Sequence, residues 1–428
     1  MNFEKLIWSN YGKFILLLLS AVVIIQGYHM MWLMKIHNSR TAHSNRQYAQ
    51  YEENISFQMS ANLIKVMQHV VDTVTEVHIS DQTGSYYIIP NVIVADVNAS
   101  SLPISLCTQT TPNHLHYLKD LSESWDGPIS VAVFTDHKNT IQTLHTALYM
   151  HQCFESIRKF VTFHLLYPIR LEPIEVSKLL SMEVDCNVDM ADVFDGSETK
   201  LNYANEIPYP HNALRNVAIT YSNSEYIFMI DIDMVPSEGL VNGFQKFIKR
   251  QSLASSDRSK DAEGKVVYVV PAFESKLPIR ASNKISLLKE WGEGNVRPFY
   301  SMVCAKCQVV TDYDKWKNLP NIPFLDIGYI LDWEDPWEPF YIAKKTDLPL
   351  YDGKFKQYGF NRISQVCEMY VAGYSFAVLN NAFIVHRGLK EKDKFHSKKE
   401  EENLKNKELF RAFKLNLKDK YPDITRQC

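Results

Sequence analysis

The chain lacks an excess of charge of either sign: 46 Lys and Arg stand against 49 Asp and Glu, a formal net charge of −3. A general nucleic-acid binder needs a strongly basic face or tail, so nucleic acid is excluded as a partner. Only 22% of residues are charged and 46% are hydrophobic, which excludes a mostly disordered chain. Glycine is scarce, 15 in 428 residues, and no tandem repeat runs through the sequence, so fibrous and solenoid architectures are excluded as well. Cysteine is odd in number, seven, and cannot pair completely. Cys304-Ala-Lys-Cys307 has no second close Cys pair to complete four zinc ligands, which argues against structural zinc. What the chain does have is 23 Tyr and 22 Phe, enough large rings to fill a sizeable core.

Phe14 to Met34 carries no Asp, Glu, Lys or Arg. About 20 such residues cross the hydrocarbon layer as a helix, whereas a cleaved signal has a shorter apolar stretch. Residues 14–34 therefore read as an uncleaved signal anchor behind a cytoplasmic tail at 1–13. Lys5 and Lys13 before it are balanced by Lys35, Arg40 and Arg46 after it. The tie is broken by the short tail and by two glycosylation acceptors, Asn54-Ile-Ser56 and Asn98-Ala-Ser100, which work only in the lumen. Residues 35–100 read as a polar stem with a helix around Ala61–Val77, and 101–428 as the globular body.

From Ile129 the pattern is α/β. Val131–Phe134 and Phe163–Leu166 are short apolar runs with a helical stretch, Thr140–Phe160, between them, the signature of parallel strands joined by a crossover. Tyr226–Ile230, Val266–Val270, Phe376–Leu379 and Phe383–Val385 are further strands. The Lys- and Glu-rich tail Lys390–Tyr421 predicts a helix lying on the body rather than a charged interaction arm.

The third of these strands runs into Asp231-Ile-Asp233. Ligands of parallel α/β sheets bind at the carboxyl ends of strands. Strand alternation puts both carboxylates on one side, where two hard oxygen donors suit Mn²⁺ or Mg²⁺ and the ion can neutralise a diphosphate. His386 also ends an apolar run and is a candidate third ligand. Lys390, a short turn later, can meet a phosphate as a point charge.

Together the segments Pro210–Asn216, Phe228–Gly239, Val270–Glu274, Trp333–Pro339, Tyr358–Arg362 and Asn381–His386 resemble the LARGE-type glycosyltransferases of family 49, and within them the glucuronyltransferases. The resemblance spans roughly 130–390 and extends to the anchor and stem. It implies a GT-A fold (Rossmann-like, with a mostly parallel sheet), a single-pass type II enzyme of the Golgi membrane, Mn²⁺, and inverting transfer from a UDP-sugar. UDP-glucuronate is the favoured donor and a xylose-terminated glycan or glycoprotein the expected acceptor. A second copy of the chain, or another Golgi enzyme, is the protein partner to consider.

On this reading Asp231, Asp233 and His386 hold the ion, and Arg215, Asn216, Thr135 and Lys390 meet the nucleotide, with uracil near Phe134–Asp136. An inverting displacement needs a carboxylate to take the acceptor's proton. Glu338 and Glu334 are favoured over Asp335, beside Trp333 and Trp337, which offer faces for sugars. Glu274, Lys306, Asn361 and Arg362 complete the donor-sugar and acceptor set, with Arg280 and Arg297 as further cations for a glucuronate carboxylate. Where the family has a histidine this chain has Gln308, with Thr311 and Trp316 at matching spacing. Two rival readings stand: a non-catalytic luminal glycan-binding protein on the same fold, and an Asp-x-Asp phosphatase with Asp231 as nucleophile. The second needs a later Gly-Asp or Asp-Asp, and the chain contains neither.

Overall fold

The computed structural model describes residues 30–31, 62–76, 78–98, 102–136, 139–169, 178, 184–195, 208–255, 265–276, 282–391 and 396–428. The predicted anchor at 14–34 lies outside the described residues except for Met30 and Met31, and Asn54 and Arg280 lie outside them too. Among the described residues no helix is long and apolar enough to cross a membrane. The chain divides into a unit at Met1–Lys65 and one at Val66–Cys428, and the second carries the fold.

Its strands, in chain order, are β1 (Ile79–Ser80), β2 (Tyr86–Ile93), β3 (Ile104–Thr110), β4 (Ile129–Phe134), β5 (Val161–Pro168), β6 (Tyr226–Met229), β7 (Met234–Pro236), β8 (Val266–Val270), β9 (Ala272–Ser275), β10 (Val296–Pro298), β11 (Asp326–Leu331), β12 (Phe340–Lys344), β13 (Ser375–Asn380) and β14 (Ile384–Arg387). Ten of them form one sheet in the order β1-β2-β5-β4-β3-β6-β12-β8-β13-β11. The neighbours β5-β4-β3-β6 and β8-β13 are parallel, while β2, β12 and β11 run against them. The fold is mixed α/β around a large sheet whose strands mostly point one way.

Side-chain alternation explains why the strands read as unbroken apolar runs. Along β4, Val131 and Val133 enter one core while Ala132 and Phe134 enter the other. Along β6, Phe228 and Ile227 divide in the same way. A sheet covered on both faces must be apolar at every position.

Several boundaries differ from the sequence reading. The predicted stem at 35–100 contains β1 and β2, and β2 pairs with β5 inside the sheet. Thr140–Phe160 is two helices, Thr140–Cys153 and Glu155–Phe160, because Phe154 takes an extended backbone at φ −120°. β3 was missed: in Ile-Ser-Leu-Cys-Thr-Gln-Thr the polar side chains are buried and blur the apolar pattern. The tail forms the helix Lys399–Lys420, which buries Asn406, Phe410, Phe413 and Leu417. Three disulfides close, Cys153–Cys186, Cys304–Cys307 and Cys367–Cys428, and Cys107 stays free in the core.

The sheet also buries His164, whose ring meets the Asn91 N–H at 2.9 Å and the Ser130 hydroxyl at 2.9 Å. Burial pushes this imidazole down to about 3. An unfolded histidine titrates near 6.5, so its protonation favours the unfolded chain: the stability it gives is complete above about 6.5 and is lost as pH falls towards about 3. The melting temperature should therefore fall between pH 7 and pH 5, and more shallowly in His164→Gln, as differential scanning fluorimetry across pH would read.

Candidate active site

A second, four-stranded sheet, in the order β10-β9-β14-β7, assembles the site. In it His386 stands opposite Met234 on β7 and in parallel register with Glu274 on β9. Strand pairing thus brings residues from three distant segments to one edge. The Asp-x-Asp pair does not ride on a strand as alternation predicted. β6 ends at Met229 and the chain turns, the Met234 N–H donating to the Asp231 carbonyl at 3.0 Å.

His386 Nε2 lies 2.8 Å from Asp233 Oδ2, and its Nδ1 lies 2.7 Å from the Gly388 carbonyl. Nδ1 donates to that carbonyl, so Nε2 meets the carboxylate as a donor when the ring is protonated and as a lone pair when it is neutral. Metal-ligating histidines are oriented by this same kind of outer bond. Two acceptors so close need positive charge between them: a second proton on the ring, or a cation. Their spacing is near the ~3 Å between adjacent ligands of an octahedral ion with bonds of about 2.1 Å. Lys390 Nζ adds a positive charge 3.7 Å from Asp233 Oδ2. Burial raises the Asp233 carboxyl, but the His386 hydrogen bond and charge and then Lys390 outweigh it, and the group is held low.

Asp231 faces a different set. Arg362 donates to its Oδ2 at 2.7 Å, and Arg215 Nη2 stands 3.6 Å from Oδ1. Burial opposes ionisation, yet Arg362 and then Arg215 hold this carboxyl far below the usual range. Among the described residues no three His, Cys, Asp or Glu are grouped closely enough to hold a metal ion. The predicted cage is therefore present as the Asp233–His386 pair, with Asp231 turned to two arginines. The donor set, an imidazole nitrogen with carboxylate oxygens, fits a divalent ion such as Mn²⁺.

Of the three candidate bases, Glu334 and Asp335 are exposed, and Asp335 lies 4.0 Å from Lys414. Glu338 is half-buried and shares the electrostatic surroundings of Asp231, Arg362 and Arg215. Burial raises its carboxyl, and the two arginines only partly offset this. Trp333 and Trp337 do not offer sugar faces. Both are buried, Trp333 Nε1 donating to the Trp337 carbonyl at 2.8 Å and Trp337 Nε1 to the Thr311 hydroxyl at 2.9 Å.

Other expected contacts also turn inward. Asn216 exchanges two 2.8 Å hydrogen bonds with the Tyr351 backbone, and the Thr135 hydroxyl meets Thr143 at 3.0 Å. Asn361 accepts from Arg215 at 3.0 Å and so steers the arginine. Glu274 is fully buried against Arg297, and its other oxygen accepts from the Lys390 N–H at 3.2 Å. Lys306 is exposed on the turn Ala305–Cys307, while Gln308 is buried and donates to the Glu338 carbonyl at 2.8 Å. Trp316 is core, bonded to the Leu379 carbonyl at 2.9 Å.

Three site residues were missed. His211, in a segment singled out for other reasons, is pushed down to about 3 by burial and then by Arg215. Tyr300 and Tyr358 both feel the Glu338 charge. Nothing in the spacing of Tyr300 marked it.

The sequence profile described as "Glycosyl-transferase for dystroglycan" matches residues 103–422. Beta-1,4-glucuronyltransferase 1 of Danio rerio is 35% identical, over all of both chains. The Homo sapiens protein of the same name is 40% identical over 81% of this chain and 82% of its own. Homo sapiens "Xylosyl- and glucuronyltransferase LARGE1" is 27% identical over 67% of this chain and 31% of its own.

The Glu274–Arg297 pair sets a stability test. Glu274→Ala leaves a guanidinium without its carboxylate and frees the Lys390 backbone, a loss of about 3 kcal/mol for breaking a buried pair. Urea denaturation should show a lower midpoint with an unchanged slope.

Proposed function

Because the chain belongs to this glycosyltransferase family, we propose that it is an inverting, metal-dependent glucuronosyltransferase acting from UDP-glucuronate on a glycan acceptor. That it is a UDP-sugar glycosyltransferase rests on family membership and on relatives named as glucuronyltransferases. The observation that supports the metal dependence is the His386–Asp233 contact, an imidazole nitrogen and a carboxylate oxygen held together as a donor pair that suits a divalent ion.

A divalent ion held by Asp233 and His386 would supply Lewis-acid stabilisation of the departing diphosphate. Lys390 adds a cation on the same side. Arg362 and Arg215 keep Asp231 ionised and fixed, so it needs no reorganisation as charge develops. Glu338 takes the proton from the acceptor hydroxyl: its raised carboxyl makes it a stronger base than an exposed acid, and it shares the site with Asp231. Glu334 and Asp335 are too exposed for that role. Since a displacement from the opposite face inverts the anomeric carbon, one base suffices.

The chain acts in the Golgi lumen, anchored by residues 14–34 as a type II protein and built on a GT-A fold, with a xylose-terminated acceptor. Three disulfides support an oxidising compartment, and the exposed Asn98 is placed to carry a glycan.

Purified chain should be stabilised by UDP-glucuronate with Mn²⁺ in a thermal-shift panel of UDP-sugars and should transfer from it. Asp233→Asn should abolish transfer, and Glu338→Gln should lower kcat by about 10²–10⁴ with the fold intact. Full turnover in Asp233→Asn would remove the metal assignment, and preference for another UDP-sugar would remove the donor.

A further inference from the structure

The helix Lys399–Lys420 meets the site through the backbone around Tyr358. Asn406, 5% exposed, extends one amide nitrogen to three backbone carbonyls, Lys356 at 2.8 Å, Tyr358 at 2.9 Å and Gly359 at 3.0 Å. Four residues earlier, Glu402 accepts from the Tyr358 N–H at 3.2 Å. Phe410 packs on Phe360, with ring centres 5.2 Å apart.

The loop so gripped is one that would not hold its own shape. Gln357, Gly359 and Phe360 all have left-handed backbones, at φ 60°, 90° and 57°. Non-glycine residues there are strained and persist only when their surroundings impose them. Gly359 is also wedged against the helix: a Cβ on it would meet Asn403 Oδ1 at 2.5 Å. Directly after this loop come Asn361, which accepts from Arg215, and Arg362, which donates to Asp231. Tyr358, within the loop, faces Glu338 electrostatically. The helix is fastened at its far end, where Lys420 pairs with Glu368 at 2.6 Å and Cys428 bonds to Cys367.

We infer that Asn406 is a positioning residue for catalysis: through the 356–360 loop it sets Arg362 against Asp231. This rests on the transferase reading above. The C-terminal helix is on this account a working part of the site rather than a cover for the domain.

The test compares two loosened ends of one helix in the full chain in detergent. Asn406→Ala loosens the loop, and Lys420→Ala loosens the remote end, which the Cys367–Cys428 disulfide still ties. Circular dichroism and thermal melts establish that both are folded at the assay temperature. Asn406→Ala should lower kcat by about ten- to a hundredfold, the scale of small misplacements of reacting groups, and by a larger factor than it raises donor KM. Lys420→Ala, at a similar loss of melting temperature, should keep the wild-type kcat. Equal kcat losses in the two variants, or a wild-type kcat in Asn406→Ala, overturn the inference. If Asn406→Ala does not fold, Glu402→Ala removes the tie to the Tyr358 N–H together with the 3.2 Å contact to His396, and an unchanged kcat there overturns it equally. A wild-type chain without transferase turnover would instead sink the enzyme reading and this inference with it.

Discussion

An imidazole and a carboxylate held 2.8 Å apart, at His386 Nε2 and Asp233 Oδ2, are the constraint around which this site is arranged. The pairing of β14 with β7 keeps them together. Positive charge, on the ring or beside it, stabilises that closeness. Lys390 brings some of it on its side chain, and its backbone is tied to the fully buried Glu274. The small sheet therefore does more than join segments. It builds a cation-demanding point into the backbone register, so that a slip of one residue in β14 would turn the imidazole to the opposite face.

The carboxylates around this point divide into two kinds. Asp231 and Asp233 are half-buried, their positive partners outweigh that burial, and they are held ionised. Glu338, in the same surroundings, is the acid for which burial prevails. Pairs of titratable groups pushed apart in this way mark distinct chemical roles. Acids that must stay charged to face an ion or fix an arginine sit against positive partners. An acid that must accept a proton in the course of reaction sits where its proton affinity is raised.

Much of this was legible in the sequence, and the rest failed for identifiable reasons. The strands of the parallel half and the Asp-x-Asp after β6 were readable because a sheet covered on both faces leaves unbroken apolar runs. β3 was not, because Ser105, Thr108 and Gln109 are buried polar side chains on a central strand. The pairing of His386 with Asp233 was expected from strand ends. The turning away of Asp231 was not, since it depends on Arg362, 131 residues later in the chain. Asn216 and Thr135 were assigned to the nucleotide by residue type, yet their polar groups are spent on the protein itself.

The two tryptophans show what such an error teaches. Sugar-binding sites use exposed rings, and Trp333 and Trp337 flank the very acids proposed for catalysis. In the fold both indoles point inward, and each N–H finds a partner, as buried tryptophan requires. That burial fixes the short segment between them at both ends. Just beyond it, the Glu338 N–H donates to the Cys307 carbonyl and its own carbonyl accepts from Gln308. The tryptophans thus act on the sugar only at second hand. They anchor the backbone from which Glu338 projects, while Glu334 and Asp335, on the outer side of the same segment, are left to solvent. A motif rich in rings and acids divides its labour by burial: the rings hold, and the one acid that burial reaches is the one equipped to take a proton.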